Sequence, residues 1–189
     1  NGQLAFNEGE EATREANEDD YSTLLNLYPV SNHEAAQSAT SQMDRTIEKC
    51  RKCIKLHSIK ARPKVDHDKK RKDPEYAAWL EQEEFNNQMG NAWMLLAKAE
   101  FHKGDFIGSV STFNYIIRHY SHDVDMVASC QLWIARAYAE MGWLYEAEDM
   151  LAKVQIENLS RKNAPLYAAA SADILLKTKQ YKEAIPFIK

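Results

Sequence analysis

Three short turn segments recur in the second half of the chain at nearly constant spacing. They are Gly104–Phe106, Gly142–Ala147 and Lys179–Ala184. The first two are 38 residues apart, and the second and third are 37 residues apart. Apolar residues around each turn recur every three or four positions, which is the spacing of one face of an α-helix. The pattern therefore predicts an internal repeat of helix pairs, and it limits the chain to folds built by stacking them.

The helical register extends to both sides of each turn. Before the first turn, Trp93, Ala97 and Phe101 share one helical face, and the small side chain of Ala97 allows a second helix to come close. The next helix carries the apolar stripe Val110, Phe113, Ile117 and Tyr120. The following unit repeats the plan with Ile134, Ala135, Tyr138, Ala147, Leu151 and Val154. A helix pair of this kind cannot bury its apolar face alone, so we expect neighbouring pairs to stack into a superhelix.

This order of large, small and aromatic residues, a glycine turn and an alanine-bearing second helix resembles the tetratricopeptide repeat. That repeat has about 34 residues, so we expect the extra residues here at the corners Ser121–Asp123 and Gln155–Asn163. The predicted fold is all-α: a helix-turn-helix, tetratricopeptide-like solenoid of about two and a half repeats, preceded by an N-terminal helical segment. The predicted repeat region is 74–189, with units at about 88–123, 124–162 and 163–189, the last one truncated.

Charge is distributed unevenly before the repeats. Residues 8–20 carry a net charge of −6 and residues 45–72 carry +9, although the whole chain carries only −4. Because acidic, weakly hydrophobic segments rarely bury enough surface to fold, we predict a solvated, partly disordered acidic arm over residues 1–30.

An amphipathic helix is predicted over residues 31–59. Ser31 and Glu34 have the spacing of a capping box. One face then carries the apolar series Ala36, Ala39, Met43, Ile47, Cys50 and Ile54.

A basic mobile loop is predicted over residues 60–73, followed by a helix with Asp73 as its cap and Pro74 as its first residue. The loop contains the cationic run Lys69, Lys70, Arg71 and Lys72. Such a run can meet nucleic acid, anionic lipid or an acidic partner, or it can serve only as a solubilising spacer.

Catalytic and metal-binding patterns are weak. The pair Cys50 and Cys53 leaves open a zinc or redox site, but no second pair of ligands completes a metal site and the pair falls within a helix, so buried structural thiols are the preferred interpretation. His119 and His122 have a spacing that can share a metal, without an obvious third ligand, since Asp123 is better used as the N-cap of the next helix. With six glycines in 189 residues, the chain has few of the loops that catalytic sites need. We therefore predict no enzymatic activity, no metal and no cofactor.

A more specific resemblance is carried by an ordered set of short motifs. They are Met43–Cys50, Ile54–Ile59, Glu84–Asn86, Asn91–Trp93, Phe101–Phe106, Leu132–Arg136 and Met141–Asp149. Together they resemble the PorW/SprE family, tetratricopeptide-repeat lipoproteins of the type IX secretion system of Bacteroidota. The resemblance covers most of residues 20–189.

The resemblance implies a periplasmic scaffold attached to the outer membrane by an N-terminal lipid. It implies a role in protein secretion, and in gliding motility where that occurs, with partners in the periplasmic ring and the outer-membrane translocon. The lipid would lie outside this chain, which we expect to be a segment of a longer protein. In that compartment nucleic acid is not an expected partner. The alternative is a generic repeat adaptor that binds peptide tails or chaperones.

The first helices of such repeats line the concave face, so their outward side chains are the predicted partner-binding residues. They are Met94, Lys98, Phe101, His102, Leu132, Arg136 and Glu140. Lys98 and Arg136 are 38 residues apart, at equivalent places in two repeats, and would present a basic groove to an acidic or carboxylate-terminated segment. Phe101 and Leu132 have a second interpretation as core residues.

Overall fold

The computed structural model describes residues 1–188, which form an all-helical protein without β-strands in that range. Two 3-10 turns, Pro29–Ser31 and Ile156–Asn158, lie among the α-helices. The eleven α-helices within the described residues are α1 (Gly2–Glu15), α2 (His33–Ser38), α3 (Thr40–His57), α4 (His67–Lys72), α5 (Pro74–Leu80), α6 (Met89–His102), α7 (Phe106–His119), α8 (Val124–Glu140), α9 (Leu144–Ala152), α10 (Ala164–Lys177) and α11 (Tyr181–Ile188). The all-α prediction is confirmed.

The last six helices form three successive helix hairpins, α6 with α7, α8 with α9, and α10 with α11. Consecutive hairpins also touch, because α7 packs on α8 and α8 packs on α10. The main hydrophobic core lies between the first two hairpins and includes Phe101, Phe113, Ile116, Trp133 and Ile134. Ala97 is fully buried, so its small side chain lies where two helices approach, as the sequence predicted.

The three hairpin turns have the same backbone geometry. Gly104, Gly142 and Lys179 adopt left-handed conformations with φ of 86°, 75° and 62°. In each turn the N–H after this residue bonds the carbonyl five residues earlier, and its own N–H bonds the carbonyl three residues earlier. These two bonds define the Schellman motif, which satisfies the last carbonyls of a helix. The turns thus repeat in structure at the spacing seen in sequence.

The acidic arm predicted over residues 1–30 is wrong for its first half, because residues 2–15 form helix α1. Ala5, Phe6, Gly9 and Thr13 form a buried stripe that packs on α3. A Cβ on Gly9 would lie 2.6 Å from Met43 Cε, so the absent side chain permits the close approach of the two helices. The acidic residues of α1 are exposed to solvent, so amino-acid composition alone does not indicate this buried stripe.

The predicted helix over 31–59 is divided at Ala39 into α2 and α3. Its predicted capping box is wrong, since the cap is Asn32, whose side chain accepts hydrogen bonds from the N–H groups of Glu34 and Ala35. The predicted apolar face is confirmed: Ala36, Ala39, Met43, Ile47 and Cys50 are buried, and Ile54 packs beside them.

The basic loop predicted over 60–73 is wrong for residues 67–72, which form helix α4 with Asp66 as its cap. Every side chain of α4 is exposed. The predicted cap at Asp73 is confirmed, because its carboxylate accepts a hydrogen bond from the N–H of Tyr76.

Glu84 joins the end of α3 to the segment before α6. Its carboxylate accepts hydrogen bonds from Ser58 Oγ and from the N–H groups of Ile59 and Asn86. Burial alone would raise the pKa of Glu84, but these bonds outweigh burial and lower it. The ends of the basic segment are thereby held together at the base of a loop.

Within residues 1–188, no helix combines the length and the apolar character needed to cross a bilayer.

Candidate binding surface

The predicted concave face is covered in part by the N-terminal region of the chain itself. The ring of Phe6 meets the ring of His102 edge-on, with centroids 5.3 Å apart. The ring of Tyr28 stacks on the guanidinium of Arg136 at 3.8 Å, and Ser31 Oγ donates a hydrogen bond to Glu140 Oε1 at 2.8 Å. The expectation that this whole set is solvent-exposed is therefore wrong, because α1 and residues 28–31 lie over it.

Phe101 and Leu132 are core residues, and both are fully buried. The ring of Phe101 packs edge-on against Trp133, with centroids 5.1 Å apart. The second interpretation given to these two positions is confirmed, and neither side chain is accessible to a partner.

His102 is buried between α1, α6 and α8. Within residues 1–188 neither ring nitrogen has a hydrogen-bond partner, and the nearest carboxylate is Glu10 of α1, 3.7 Å from Nε2. Burial, reinforced by the positive charges of Arg136 and Lys98, lowers the pKa of His102 to about 3. The imidazole is therefore neutral at physiological pH, and it was wrongly expected to be exposed.

Lys98 and Arg136 do not form one basic groove. Both lie over the ring of Trp133, with Lys98 Nζ 5.2 Å and Arg136 Cζ 4.2 Å from its centroid. Arg136 opens into one cavity of about 530 Å³, together with His102 and Tyr28. Lys98 opens into another of about 480 Å³, together with Lys162 and Met94. The two cations are 38 residues apart, on α6 and α8, and residues of α1 line both cavities.

The electrostatic settings of the two cations differ as well. Burial is the main reason that the pKa of Lys98 is lowered, and the nearby Lys162 lowers it further. Burial also lowers the pKa of Arg136, against the opposing effect of Tyr28 and Glu140. Only 5% of the surface of Arg136 is exposed, so the prediction of an exposed guanidinium at this position is wrong.

Glu140 takes part in an ion pair between two hairpins. Lys177 Nζ lies 2.9 Å from Glu140 Oε1 and 2.8 Å from Asp173 Oδ2. The side chain of Glu140 is only 6% exposed. A buried pair of this kind fixes the position of α10 on α8, and losing one partner would leave the other charge uncompensated.

The cysteines are free thiols in apolar surroundings. Burial raises the pKa of Cys50 to about 11 and that of Cys130 to about 12, so neither forms much thiolate near neutral pH. Cys130 Sγ lies 3.4 Å from the sulfur of Met94, which is half-buried. Cys53 is half-buried beside the apolar stripe. The interpretation of Cys50 and Cys53 as buried structural thiols agrees with the position of Cys50, whereas Cys53 is only partly buried.

No group of three or more His, Cys, Asp or Glu side chains in residues 1–188 is arranged to hold a metal ion. His119, whose spacing from His122 could allow a shared metal, lies with its Nδ1 2.5 Å from Glu83 Oε2. Asp123 instead caps α8 by accepting a hydrogen bond from the N–H of Met126, as the sequence predicted.

The predicted basic cluster Lys69–Lys72 lies on α4 and is partly neutralised within the chain. Lys69 Nζ is 4.7 Å from the ring centroid of Tyr76, Lys70 pairs with Glu81 at 3.5 Å, and Arg71 pairs with Asp68 at 3.3 Å. These contacts are exposed and therefore weak, so they leave the cluster open to an external acidic group. Its binding role stays a prediction.

Sequence reasoning missed a row of exposed apolar residues beside the hairpin turns, which we name the turn ridge. Its members are Ile107, Trp143, Tyr145 and Tyr181, each of which is 48% exposed or more. Ile107 and Tyr145 occupy the same place, three residues after the left-handed glycine of their turn. Aromatic residues just after a turn were the available signal, but they were attributed to the repeat consensus and not to an exposed surface.

The role of Tyr28 was missed as well. It lies in a segment interpreted as disordered, although the largely apolar run over residues 24–30, in which Tyr28 precedes Pro29, was an available signal.

The chain matches no protein-family model, and no curated protein or solved structure is significantly similar to it.

Proposed function

We propose that the chain is a non-catalytic scaffold, built as a tetratricopeptide-like solenoid of about two and a half repeats, that acts in type IX protein secretion. In this proposal it is a periplasmic lipoprotein, anchored to the outer membrane through a lipid outside these residues. It links the periplasmic ring of the secretion machine to the outer-membrane translocon. Its partners are folded protein surfaces.

The observation that carries the proposal is the repetition of one hairpin turn. The motif at Gly104 returns at Gly142 and again at Lys179, after 38 and 37 residues, with the same two hydrogen bonds. Hairpins that stack in sequence order bury a continuous core and leave an extended edge, and such edges serve as protein-binding surfaces. The motifs that resemble PorW/SprE proteins supply the particular secretion system.

The turn ridge is the proposed contact surface. Tyr145 is 87% exposed and Ile107 is 69% exposed, which is unusual for large apolar side chains at matched positions of successive units. Apolar side chains exposed beside the turns of successive helix hairpins can form one interaction surface, and tyrosine and tryptophan are enriched in protein interfaces. Of the predicted concave residues, Met94 and Lys98 stay candidates, because both line an open cavity.

The experiment is affinity capture of the full-length protein from its native envelope with site-specific photo-crosslinkers. A crosslinker at Tyr145 should capture ring or translocon subunits, whereas one at Lys52, on the exposed face of α3, should not. Recovery of only chaperones or diverse unfolded clients would instead favour the generic adaptor.

A pair of variants tests the surface in cells. Ile107→Ser combined with Tyr145→Ser should reduce secretion of cargo proteins, because it removes apolar contact area from the ridge. The matched control is Ile156→Ser, which changes another exposed isoleucine away from the ridge. Normal secretion by the double variant would contradict the ridge as the contact surface.

A further inference from the structure

A cavity of about 530 Å³ lies where the N-terminal region meets the first two hairpins. Its walls come from α1, residues 28–30, the end of α6 and the middle of α8. Its volume falls in the range of small-molecule sites. It is separate from the turn ridge.

Arg136 is the unusual residue of this cavity. Although its side chain is almost completely buried, no carboxylate oxygen among residues 1–188 lies within the 4 Å of an ion pair. Its Nε is shielded from solvent and has no hydrogen-bond partner among the same residues. A buried guanidinium without a carboxylate in direct contact is costly, even though Glu140, Asp173 and Glu10 favour its charge from a distance, so an anion bound directly to it would be favourable.

Aromatic rings surround the guanidinium. Tyr28, Trp133 and Phe101 have their ring centroids 3.8, 4.2 and 4.9 Å from Arg136 Cζ. Cation–π contacts are made with the planar faces of the group. These contacts leave the N–H groups at the edge of the guanidinium available to an acceptor in its plane. A carboxylate fits that edge and can accept two parallel hydrogen bonds.

Two other polar groups without partners border the same space. Both ring nitrogens of His102 and the hydroxyl of Tyr28 are buried. None of these three atoms makes a hydrogen bond within the described residues. Buried polar atoms are normally paired, so three unpartnered side chains around one cavity indicate a missing ligand. Pro29, Val30 and Trp133 supply an apolar wall beside them.

We propose that this cavity binds a carboxylate ligand with an apolar or aromatic body, held by the guanidinium of Arg136 and oriented by His102 and Tyr28. The carboxylate belongs either to a small organic acid or to the C-terminus of a peptide. A singly charged anion fits better than a phosphate dianion, because Glu10 and Glu11 line the same cavity and repel a second negative charge. The inference goes beyond the scaffold role and does not depend on it.

The first test compares an acid with its uncharged counterpart on the unmodified protein. Benzoate, benzamide and inorganic phosphate are titrated while the arginine Nε–H resonances and the tryptophan fluorescence are recorded. We expect benzoate to saturate at a dissociation constant of about 1 mM or below and to bind at least about tenfold more tightly than benzamide or phosphate. Equal binding of benzoate and benzamide, or no saturable response to either, would overturn the proposal.

Variants then locate the site. Arg136→Gln removes the charge, and Arg136→Lys keeps the charge but loses the two-pronged geometry; both should weaken benzoate binding about tenfold or more. Lys52→Gln, on the exposed face of α3, is the control that removes one positive charge away from the cavity, and it should bind benzoate as the unmodified protein does. If a folded Arg136 variant keeps full affinity, the proposal fails. If both variants unfold, the acid-against-amide comparison on the unmodified protein decides alone.

A peptide identifies the source of the carboxylate. The tripeptide Gly-Gly-Phe and its C-terminal amide are titrated in the same way. Tighter binding of the peptide acid than of benzoate assigns the site to chain ends, and weaker binding assigns it to small acids. Because these measurements need no secretion partner, their failure would leave the scaffold proposal intact, and loss of envelope partners would leave this one intact.

Discussion

Helix α1 and the hairpin region α6–α11 differ in how well their structures can be predicted from the sequence. The hairpins can be recognised from a local turn signature that occurs three times. Helix α1 carries no repeated signature, and its core contact depends on the four-residue stripe that contains Phe6 and Gly9. Net charge suggested that α1 is unstructured, whereas the buried stripe of Ala5, Phe6, Gly9 and Thr13 packs it on α3. A small buried stripe outweighs a strongly charged outer face.

The largest expected effect comes from removing the anchor of α1. Phe6→Ala should destabilise the protein by about 3 kcal/mol, because a buried aromatic ring is lost and a cavity remains. Chemical unfolding measures the loss, and amide exchange should show α1 opening before the hairpins. Leu4→Ala is the control, since Leu4 lies on the exposed side of the same helix. Equal effects of the two substitutions would mean that α1 is not anchored through this face.

Acid should weaken the contact between the two regions. The ordinary pKa of histidine is 6.5 and that of His102 in the folded protein is about 3, so the unfolded chain takes up a proton first as the pH falls. Stability is then complete above about pH 6.5 and decreases between that value and pH 3, by about 2 kcal/mol at pH 5.

Three charged groups face this imidazole: Glu10 from α1, Lys98 from α6 and Arg136 from α8. Only Glu10 would favour protonation, and burial raises its own pKa. Urea unfolding of the unmodified protein and of His102→Gln across this range checks the prediction. The variant should lose most of the pH dependence between 6.5 and 5; an unchanged slope in the variant would assign it to other groups.

Within the hairpin region, the turns at Gly142 and Lys179 should respond in opposite directions to substitution. Gly142→Ala should cost about 1 kcal/mol, since a side chain is disfavoured at a φ of 75°. Lys179→Gly should stabilise the protein by up to about 1 kcal/mol, because it relieves the same conflict in the third turn. Thermal unfolding of the two variants provides the comparison. Destabilisation by both would indicate that the left-handed geometry is not what limits these turns.

The smallest effect is expected in the other charged segment. Lys70→Ala in α4 should change stability by less than about 0.5 kcal/mol, because its pair with Glu81 is exposed. A loss as large as that of Phe6→Ala would show that α4 is docked as α1 is, and would remove the contrast between charged segments.

The parts of the fold that could be predicted are those with local signals. Asp73 and Asp123 were recognised as caps because an acidic side chain directly precedes a helical pattern. The apolar face of α3 followed from its spacing. The division at Ala39 and the docking of α1 could not be derived, because they depend on which distant surfaces meet.

The candidate site was predictable in part for the same reason. Equivalence within the repeat correctly brought Lys98 and Arg136 to the same face, where both contact Trp133. Their burial was missed, since the covering residues Phe6 and Tyr28 come from a segment that composition marked as solvated. Periodicity identifies which face a side chain points to, but it does not reveal what else in the chain reaches that face.

The carboxylate of Glu84 gives the chain a closed topology at the basic segment. Because Ser58, Ile59 and Asn86 are fastened to one side chain, the residues between them start and finish at nearly the same point. We expect a protease cut within residues 60–72 to leave two fragments that remain associated, since α3 and α6 still pack together on either side of the cut. Because this loop is closed at its base, we expect changes in its length or charge to leave the stacked helices undisturbed. We expect the same of a tag or reporter inserted there.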